Sequence, residues 1–192
     1  MVRDETKLLK LSTADTFTPT LRVCNCAGGS ISETVLDKAA LAPGLAAERG
    51  RLSVMGWTEG EMLVLVRERG GVEVRDVMGE LSKTLELVDE NSRRSANPDR
   101  VMACEVWGDG VVALLSSGKV TAVSGIHSAE LRQEILQFGM AIGLGGNEGM
   151  LTAMAVLEPQ FTQSGALEVV LATEDGNVFG ERNIERMVIL PL

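Results

Sequence analysis

Residues 51–77 read RLSVMGWTEGEMLVLVRERGGVEVRDV, and they carry the clearest structural signal of the chain. It contains three extended segments, at 51–57, 61–66 and 72–77, separated by charged or glycine-containing turns. Apolar runs of four to six residues favour strands, because helices of globular proteins need longer periodic segments. The Gly70–Gly71 pair can adopt the positive φ that a tight hairpin requires. The stretch therefore predicts antiparallel strands joined by short turns.

The last segment of this stretch alternates between apolar and charged residues. Val72 and Val74 are each followed by a charged side chain, Glu73 and Arg75 respectively. Successive side chains of a strand point to opposite faces, so this period of two is typical of a half-buried strand. The sequence alone therefore predicts a valine face turned to the core and a charged face turned to solvent.

Similar strand–turn–strand units recur along the chain. A second unit covers 101–107, 111–115 and 119–123, a third covers 167–172 and 178–179, and a partial unit lies upstream at 21–26 and 30–32. The turn glycines Gly71, Gly118 and Gly176 are 47 and 58 residues apart, and Trp57 and Trp107 are 50 apart. Units of about 40–50 residues with four strands each are typical of propeller blades.

The repeats predict an all-β fold, a β-propeller-like array of WD40-type blades that is incomplete, with about three to four blades. One blade cannot cover both of its faces, so blades must stack on one another. We expect residues 1–17 to form a poorly ordered N-terminal segment and residues 18–192 to form the partial propeller domain. Trp57 and Trp107 are expected to pack between blades.

The connectors between the units are less regular. Residues Asp89–Arg100 are polar and are predicted to form an exposed loop. Residues Ser128–Phe138 are predicted to form a short helix or a long loop, and Gly143–Gly149 a glycine-rich blade connector. A capping-box pattern begins at Ser30, so Glu33–Ala42 could be helical.

Charge and composition exclude several classes of function. The chain has 192 residues, with 18 basic and 27 acidic side chains and a net charge of −9. A phosphate-binding face must be basic, so the balance argues against a nucleic-acid binder. The charged start lacks the apolar core of a signal peptide, and three cysteines without a paired framework fit a reducing cytosol. We therefore expect a cytoplasmic protein without direct membrane insertion.

Metal chemistry is poorly supported by the residues available. Cys24 and Cys26 would share one face of a strand, which could begin a soft-metal site. Further ligands would have to be the distant Cys104 or His127, the single histidine, whereas structural zinc takes four. We expect packed cysteines and no metal.

Catalytic motifs are equally incomplete. Ser116–Lys119 matches Ser-x-x-Lys but lies in a hairpin turn and lacks the partner motifs. In Gly143–Gly149, Glu148 stands where a nucleotide-binding loop needs its third glycine. Glu59, Glu61 and the Glu174–Asp175 pair lie beside turns, where acidic residues act as solvated turn formers. We expect no enzymatic activity, no catalytic residues, no cofactor and no small-molecule substrate.

One series of features resembles a known family. It runs from Ser53–Trp57 through Glu59 and Glu61, the run 63–66 and the Gly71–Val72 hairpin to Gly79–Glu80, and then to 106–114 after a spacer. In this order the sequence resembles the N-terminal β-propeller of the family of vacuolar protein sorting-associated protein sixteen. The resemblance covers about residues 18–180 and is strongest over the central 70.

The resemblance implies a scaffold rather than a catalyst. Members of the family are subunits of the endosomal and vacuolar tethering assemblies HOPS and CORVET, which bring membranes together in vesicle transport. By this resemblance, the partners are other protein subunits of a tethering complex. The place of action is the cytoplasmic surface of late endosomes and vacuoles, by peripheral association. Partner-contact residues stay unassigned, and two alternatives stay open: an unrelated propeller scaffold of another multiprotein complex, and a small α/β enzyme with 33–42 and 128–138 as crossover helices.

Overall fold

The residues that the structure describes form four antiparallel sheets, and the strands of each sheet follow one another in sequence order. The computed structural model describes residues 7–13, 19–36, 51–128, 131–137, 151–174, 176, 178–182 and 187–189. Every strand pairing within these ranges is antiparallel and joins neighbours in the chain. Each sheet is therefore an up-and-down meander, which is the architecture of a propeller blade.

The four sheets are named blades 1 to 4 in chain order. Blade 1 contains β1 (Lys7–Thr13), β2 (Pro19–Asn25) and β3 (Ser30–Val35). Blade 2 contains β4 (Leu52–Trp57), β5 (Leu63–Arg67), β6 (Gly71–Arg75) and β7 (Leu81–Glu86). Blade 3 contains β8 (Val101–Trp107), β9 (Gly110–Leu115), β10 (Lys119–Ser124) and β11 (Arg132–Gln137). Blade 4 contains β12 (Leu151–Leu157), β13 (Glu168–Thr173), β14 (Val178–Arg182) and β15 (Met187–Ile189). The prediction of an all-β, blade-like array is confirmed.

One turn recurs in all four blades and sets the repeat. A glycine with φ near +80° closes the hairpin between the second and third strands of each blade, at Gly28, Gly70, Gly118 and Gly176. The N–H of each glycine donates to the carbonyl three residues earlier, at 2.9–3.1 Å. Only glycine adopts this backbone freely. In blade 2 the marker is Gly70, whereas Gly71, chosen from the sequence, is already the first residue of β6.

Apolar side chains fill the spaces between the blades. Between blades 2 and 3 the core is aliphatic and includes Val64, Val66, Val111 and Leu115. Val112, Val169 and Leu171 pack with Trp107 between blades 3 and 4, and Leu21, Leu36, Leu63 and Leu65 pack with the half-buried Trp57 between blades 1 and 2. The expectation that both tryptophans pack between blades is confirmed.

The two helical interpretations are wrong where the structure describes them. Residues 33–35 belong to β3, because Glu33 pairs with Arg22 of β2; positions 37–42 lie outside the described residues. Residues 132–137 form β11, the outer strand of blade 3, paired with β10. In both places, pairing with a neighbouring strand overrides a weak local helical preference. The α/β enzyme alternative fails with these helices, since it needs crossovers and a parallel sheet.

Two further segments differ from expectation in detail. Residues 89–100 include a short helix, α1 (Glu90–Arg93), whose N-cap Asp89 accepts a 2.7 Å bond from the Ser92 backbone N–H. Strand β1 lies inside the segment 1–17 that was expected to be poorly ordered, and it pairs along its length with β2. The division of the chain at residue 18 stays a prediction. The segment Gly143–Gly149 lies outside the described residues.

Candidate functional site: an acidic junction between three blades

The two cysteines considered for metal binding do not share a strand face. Cys24 is buried in β2, whereas Cys26 is exposed in the turn that follows this strand. Cys104 lies in β8 of another blade, where burial, helped by neighbouring Glu105, raises the pKa of its thiol to about 12. Such a thiol stays protonated and is a poor metal ligand and nucleophile. Within the described ranges, no group of three or more His, Cys, Asp or Glu side chains is arranged to hold a metal ion.

Ser116 of the Ser-x-x-Lys match has a structural role. Its hydroxyl lies 3.2 Å from a carboxylate oxygen of Asp99 and accepts a 3.0 Å bond from the Arg100 N–H. Burial disfavours ionisation of Asp99, but hydrogen bonds from Ser92, Ser117 and Ser116 outweigh it and lower its pKa. These contacts tie the connector 89–100 to the β9–β10 turn.

Blade 2 contains a buried network of charged side chains, although the alternating sequence of β6 predicted that these side chains face solvent. Glu73 accepts bonds from Arg67 at 2.9 Å and from Arg75 at 2.5 Å, and all three residues are less than 9% exposed. Burial disfavours ionisation of Glu73, but the hydrogen bonds and charges of the two arginines outweigh it and lower its pKa. The predicted solvent-facing side of β6 is therefore an interior face.

This network lies on the side of blade 2 that meets blade 1. Glu73 is in register with Leu65, and Leu65 packs against Leu21 of blade 1. Arg75 also donates to the Gly79 carbonyl at 2.8 Å. A Cβ at Gly79 would lie 2.9 Å from the Thr34 hydroxyl of blade 1, so the two blades come very close here. The arginines thus compensate the charge of Glu73 on a buried face of blade 2.

Carboxylates from blades 2 and 4 meet around Gly108, in the β8–β9 turn of blade 3. A Cβ at Gly108 would lie 2.8 Å from the carboxyl carbon of Glu59, in the β4–β5 turn of blade 2. It would lie 2.9 Å from a carboxylate oxygen of Glu158, which follows β12 of blade 4. The Glu59 N–H donates to the Gly108 carbonyl at 2.9 Å. Of the acidic residues singled out from the sequence, the structure brings Glu59 into this acidic junction.

Glu105 of β8 interacts electrostatically with Glu158 and so adds a third carboxylate to the junction, on the side of blade 4. Burial raises its pKa, a backbone bond from Val156 opposes the shift, and the charge of Glu158 adds to it. Glu174 lies exposed in the turn after β13, and Asp175 lies outside the described residues. Of the three junction carboxylates, the sequence analysis therefore considered only Glu59. Glu105 and Glu158 could not be found from local sequence pattern, because they come close to each other only where blades 3 and 4 meet.

The single histidine joins the same junction. His127 Nε2 lies 3.4 Å from the Gly60 N–H of blade 2 and 3.3 Å from the Gly108 carbonyl of blade 3. Its ring contacts the position that a Cβ at Gly60 would take. Nearby, Lys83 donates to the Ile126 carbonyl at 2.6 Å. His127 and Lys83 therefore fasten blade 3 to blade 2 through backbone groups.

The acidic junction lies at the protein surface, as the exposure of Glu59 shows. General acid–base work needs a pair of groups that hold a substrate between them in a cleft. Here the carboxylates surround a backbone turn, and Glu59 is exposed to solvent. An exposed carboxylate next to half-buried ones gives a fixed patch of negative charge, which steers and selects charged partners.

A family model described as "Vps16, N-terminal region" matches residues 6–140. The chain belongs to this family. It is 27% identical over 177 residues to Protein VACUOLELESS1 of Arabidopsis thaliana. It is 24% identical over 175 residues to the vacuolar protein sorting-associated protein 16 homolog of Dictyostelium discoideum. These alignments cover 91% and 90% of the chain but 18% of each relative, so the chain spans under a fifth of their length.

Solved structures support the propeller-like fold of this chain. A structure of the Cps50 (Swd1) β-propeller domain of Myceliophteria thermophila matches with a TM-score of 0.54 at 13% identity, covering 97% of this chain and 54% of that one. A structure of BBS1N in complex with ARL6DN matches with a TM-score of 0.52 at 10% identity, covering 95% and 53%. None of the helices in the described ranges is long and apolar enough to cross a bilayer.

Proposed function

We propose that this chain is a propeller section of a scaffold subunit in an endosomal or vacuolar membrane-tethering complex of the HOPS or CORVET type. The observation that carries the proposal is the family match over residues 6–140. The names of the relatives, one a vacuolar sorting protein and one called VACUOLELESS1, point to the same process. The subunit would act without catalysis, in vacuolar protein sorting and vesicle transport.

The interiors of the blades suit a stiff platform. Between blades 2 and 3 the core is aliphatic, and on the side of blade 2 that meets blade 1 a buried ion network adds directional bonds within blade 2. Packed interiors transmit strain and resist deformation. A rigid array holds loops and turns at fixed separations, which is what a subunit needs to position several partners.

Charge supports protein partners over bare membrane. The chain carries a net charge of −9, and the junction around Gly108 adds a local cluster of carboxylates. Attraction to anionic lipid headgroups needs clustered Lys or Arg. We therefore propose a cytoplasmic subunit that reaches late endosome or vacuole membranes through other subunits.

Affinity purification of the tagged full-length protein from its own cells tests the proposal. We expect the other tethering subunits to co-purify in stoichiometric amounts. We also expect disruption of the gene to fragment or deplete the vacuole. Co-purification of a different assembly, with normal vacuoles in the disrupted cells, would favour the alternative of an unrelated propeller scaffold.

A further inference from the structure

The loop between β12 and β13 carries the most exposed large apolar side chain of the described residues. Phe161 is 74% exposed, and Leu81 follows at 52%. Single exposed apolar residues are common on soluble proteins and by themselves need no explanation. Two features of the surroundings set Phe161 apart, namely the bracing of its loop and the charge beside it.

The loop that carries Phe161 is held by its own side chains. Residues Pro159–Phe161 form one 3-10 turn, which the Phe161 N–H closes by donating to the Glu158 carbonyl at 2.9 Å. The Thr162 hydroxyl lies 2.8 Å from the Ala166 carbonyl, across the loop. Ser164 donates to a Glu168 carboxylate oxygen at 2.9 Å. An aromatic side chain on a braced loop loses little freedom when it binds, and this preorganisation favours affinity.

The charge beside Phe161 is negative. Glu158 is the N-cap residue of this turn, and the bond from the Phe161 N–H to the Glu158 carbonyl brings the backbones of the two residues together. Glu158 belongs to the acidic junction with Glu59 and Glu105. Gln160 donates to Glu158 at 2.7 Å and so holds this carboxylate in place. The loop therefore presents an aromatic ring next to fixed negative charge.

We infer that Phe161 and the acidic junction form a contact site for a protein partner that offers an apolar pocket bordered by Lys or Arg. Buried aromatic anchors dominate binding energy, and complementary charge around them sets association rate and selectivity. An anionic membrane is the competing occupant for an exposed aromatic ring. The carboxylates beside Phe161 disfavour it, because they repel anionic headgroups. The inference rests on the proposed function for the identity of the partner, which is another tethering subunit.

The test measures binding of the full-length protein to the remaining tethering subunits, purified together. We expect Phe161→Ser to weaken binding by about tenfold or more, as loss of an aromatic anchor does. Leu81→Ser is the matched control, since Leu81 is the next most exposed apolar residue and lies on another blade. The Leu81→Ser variant should change the binding affinity by less than about twofold. Unchanged thermal midpoints would show that both variants fold.

The charge is tested separately. Glu158→Lys should slow association, and its difference from wild type should shrink at high salt, because salt screens the attraction. Glu174→Lys, at an exposed turn of the same blade, is the control and should have little effect.

Three outcomes would overturn the inference. Wild-type affinity of Phe161→Ser for the subunits would remove the contact site and leave the proposed function intact. Failure of the wild-type protein to bind any of the subunits would remove both. Binding to phosphatidylserine-containing vesicles that is lost in Phe161→Ser would assign the side chain to a membrane instead.

Discussion

Blade 2 is buried on both sides, and its two sides are built from different chemistry. Val64, Val66, Val72 and Val74 face blade 3 in a core whose buried side chains are aliphatic. On the opposite side, Leu63 and Leu65 face blade 1 together with the network of Arg67, Glu73 and Arg75. The same two strands thus stabilise one interface by apolar burial and the other by apolar burial combined with ion pairs.

The difference shows how one sheet can distinguish its two neighbours. Aliphatic surfaces tolerate many arrangements of similar volume. A buried carboxylate between two guanidinium groups has a strict geometry, and breaking it is costly. We expect the network to contribute selectivity for blade 1 at this interface, and the valine face to contribute most of the stability.

The largest expected effect comes from removing the charge at the centre of the network. Glu73→Gln keeps the shape of the side chain but removes the negative charge that two buried guanidinium groups share. Breaking a buried pair in this way costs about 3–5 kcal/mol. Chemical denaturation of the wild type and the variant at pH 7 measures the difference.

A triple variant is the control for this prediction. Arg67→Met, Glu73→Leu and Arg75→Met together replace the network by apolar side chains of similar volume. Such replacements are often neutral or stabilising. We expect the triple variant to be at least as stable as wild type to within about 1 kcal/mol. A large loss of stability in the triple variant would show that apolar side chains cannot replace the three charged ones at this interface.

The aliphatic interface should respond to cavity formation. Leu115 is 3% exposed and lies in the core between blades 2 and 3. Leu115→Ala should lower the free energy of unfolding by about 2–4 kcal/mol. Because no titrating group is involved in the change, the loss should be the same at pH 7 and pH 4. A loss that varied with pH would show that the stability of the aliphatic side of blade 2 also depends on a titrating group.

Much of this fold could be predicted from the sequence, because its signals are local. Apolar runs predict strands at their own positions, as in β5 and β9. Turn glycines likewise predict the hairpins in which they lie. The array of blades followed from the recurrence of these turns along the chain. The strand at Arg132–Gln137 was missed, since its pairing with β10 depends on a neighbour and not on its own pattern.

The sites were harder to predict than the strands. Alternation at Val72–Arg75 indicated an exposed charged face, because the rule assumes a sheet with one wet side. A blade is covered on both sides, so the charges had to be neutralised within the fold. The contribution of Glu158 to the junction and the exposure of Phe161 depend on how blade 4 meets blade 3, which no single segment encodes.

The smallest expected effect concerns the acidic junction. Burial and the charge of Glu158 raise the pKa of Glu105, so its ionised form opposes folding. Glu105→Gln removes this cost and should stabilise the protein by less than about 1 kcal/mol at pH 7. A group with a raised pKa favours folding below its unfolded value, so the gain should vanish toward pH 4. Thermal denaturation at the two pH values measures it, and destabilisation at pH 7 would contradict the interpretation.

An ionised Glu73, held by two arginines, stabilises the polar side of blade 2. Its pKa is lowered from an ordinary value of 4.5, so its contribution is complete above about pH 4.5 and is lost as the pH falls through the lowered value. The decisive measurement is the difference in unfolding free energy between wild type and Glu73→Gln from pH 7 to pH 3. We predict a difference of about 3–5 kcal/mol at pH 7 that narrows steadily below pH 4.5. A difference that is small at pH 7, or that stays constant from pH 7 to pH 3, would show that the ionised form of Glu73 does not stabilise the protein.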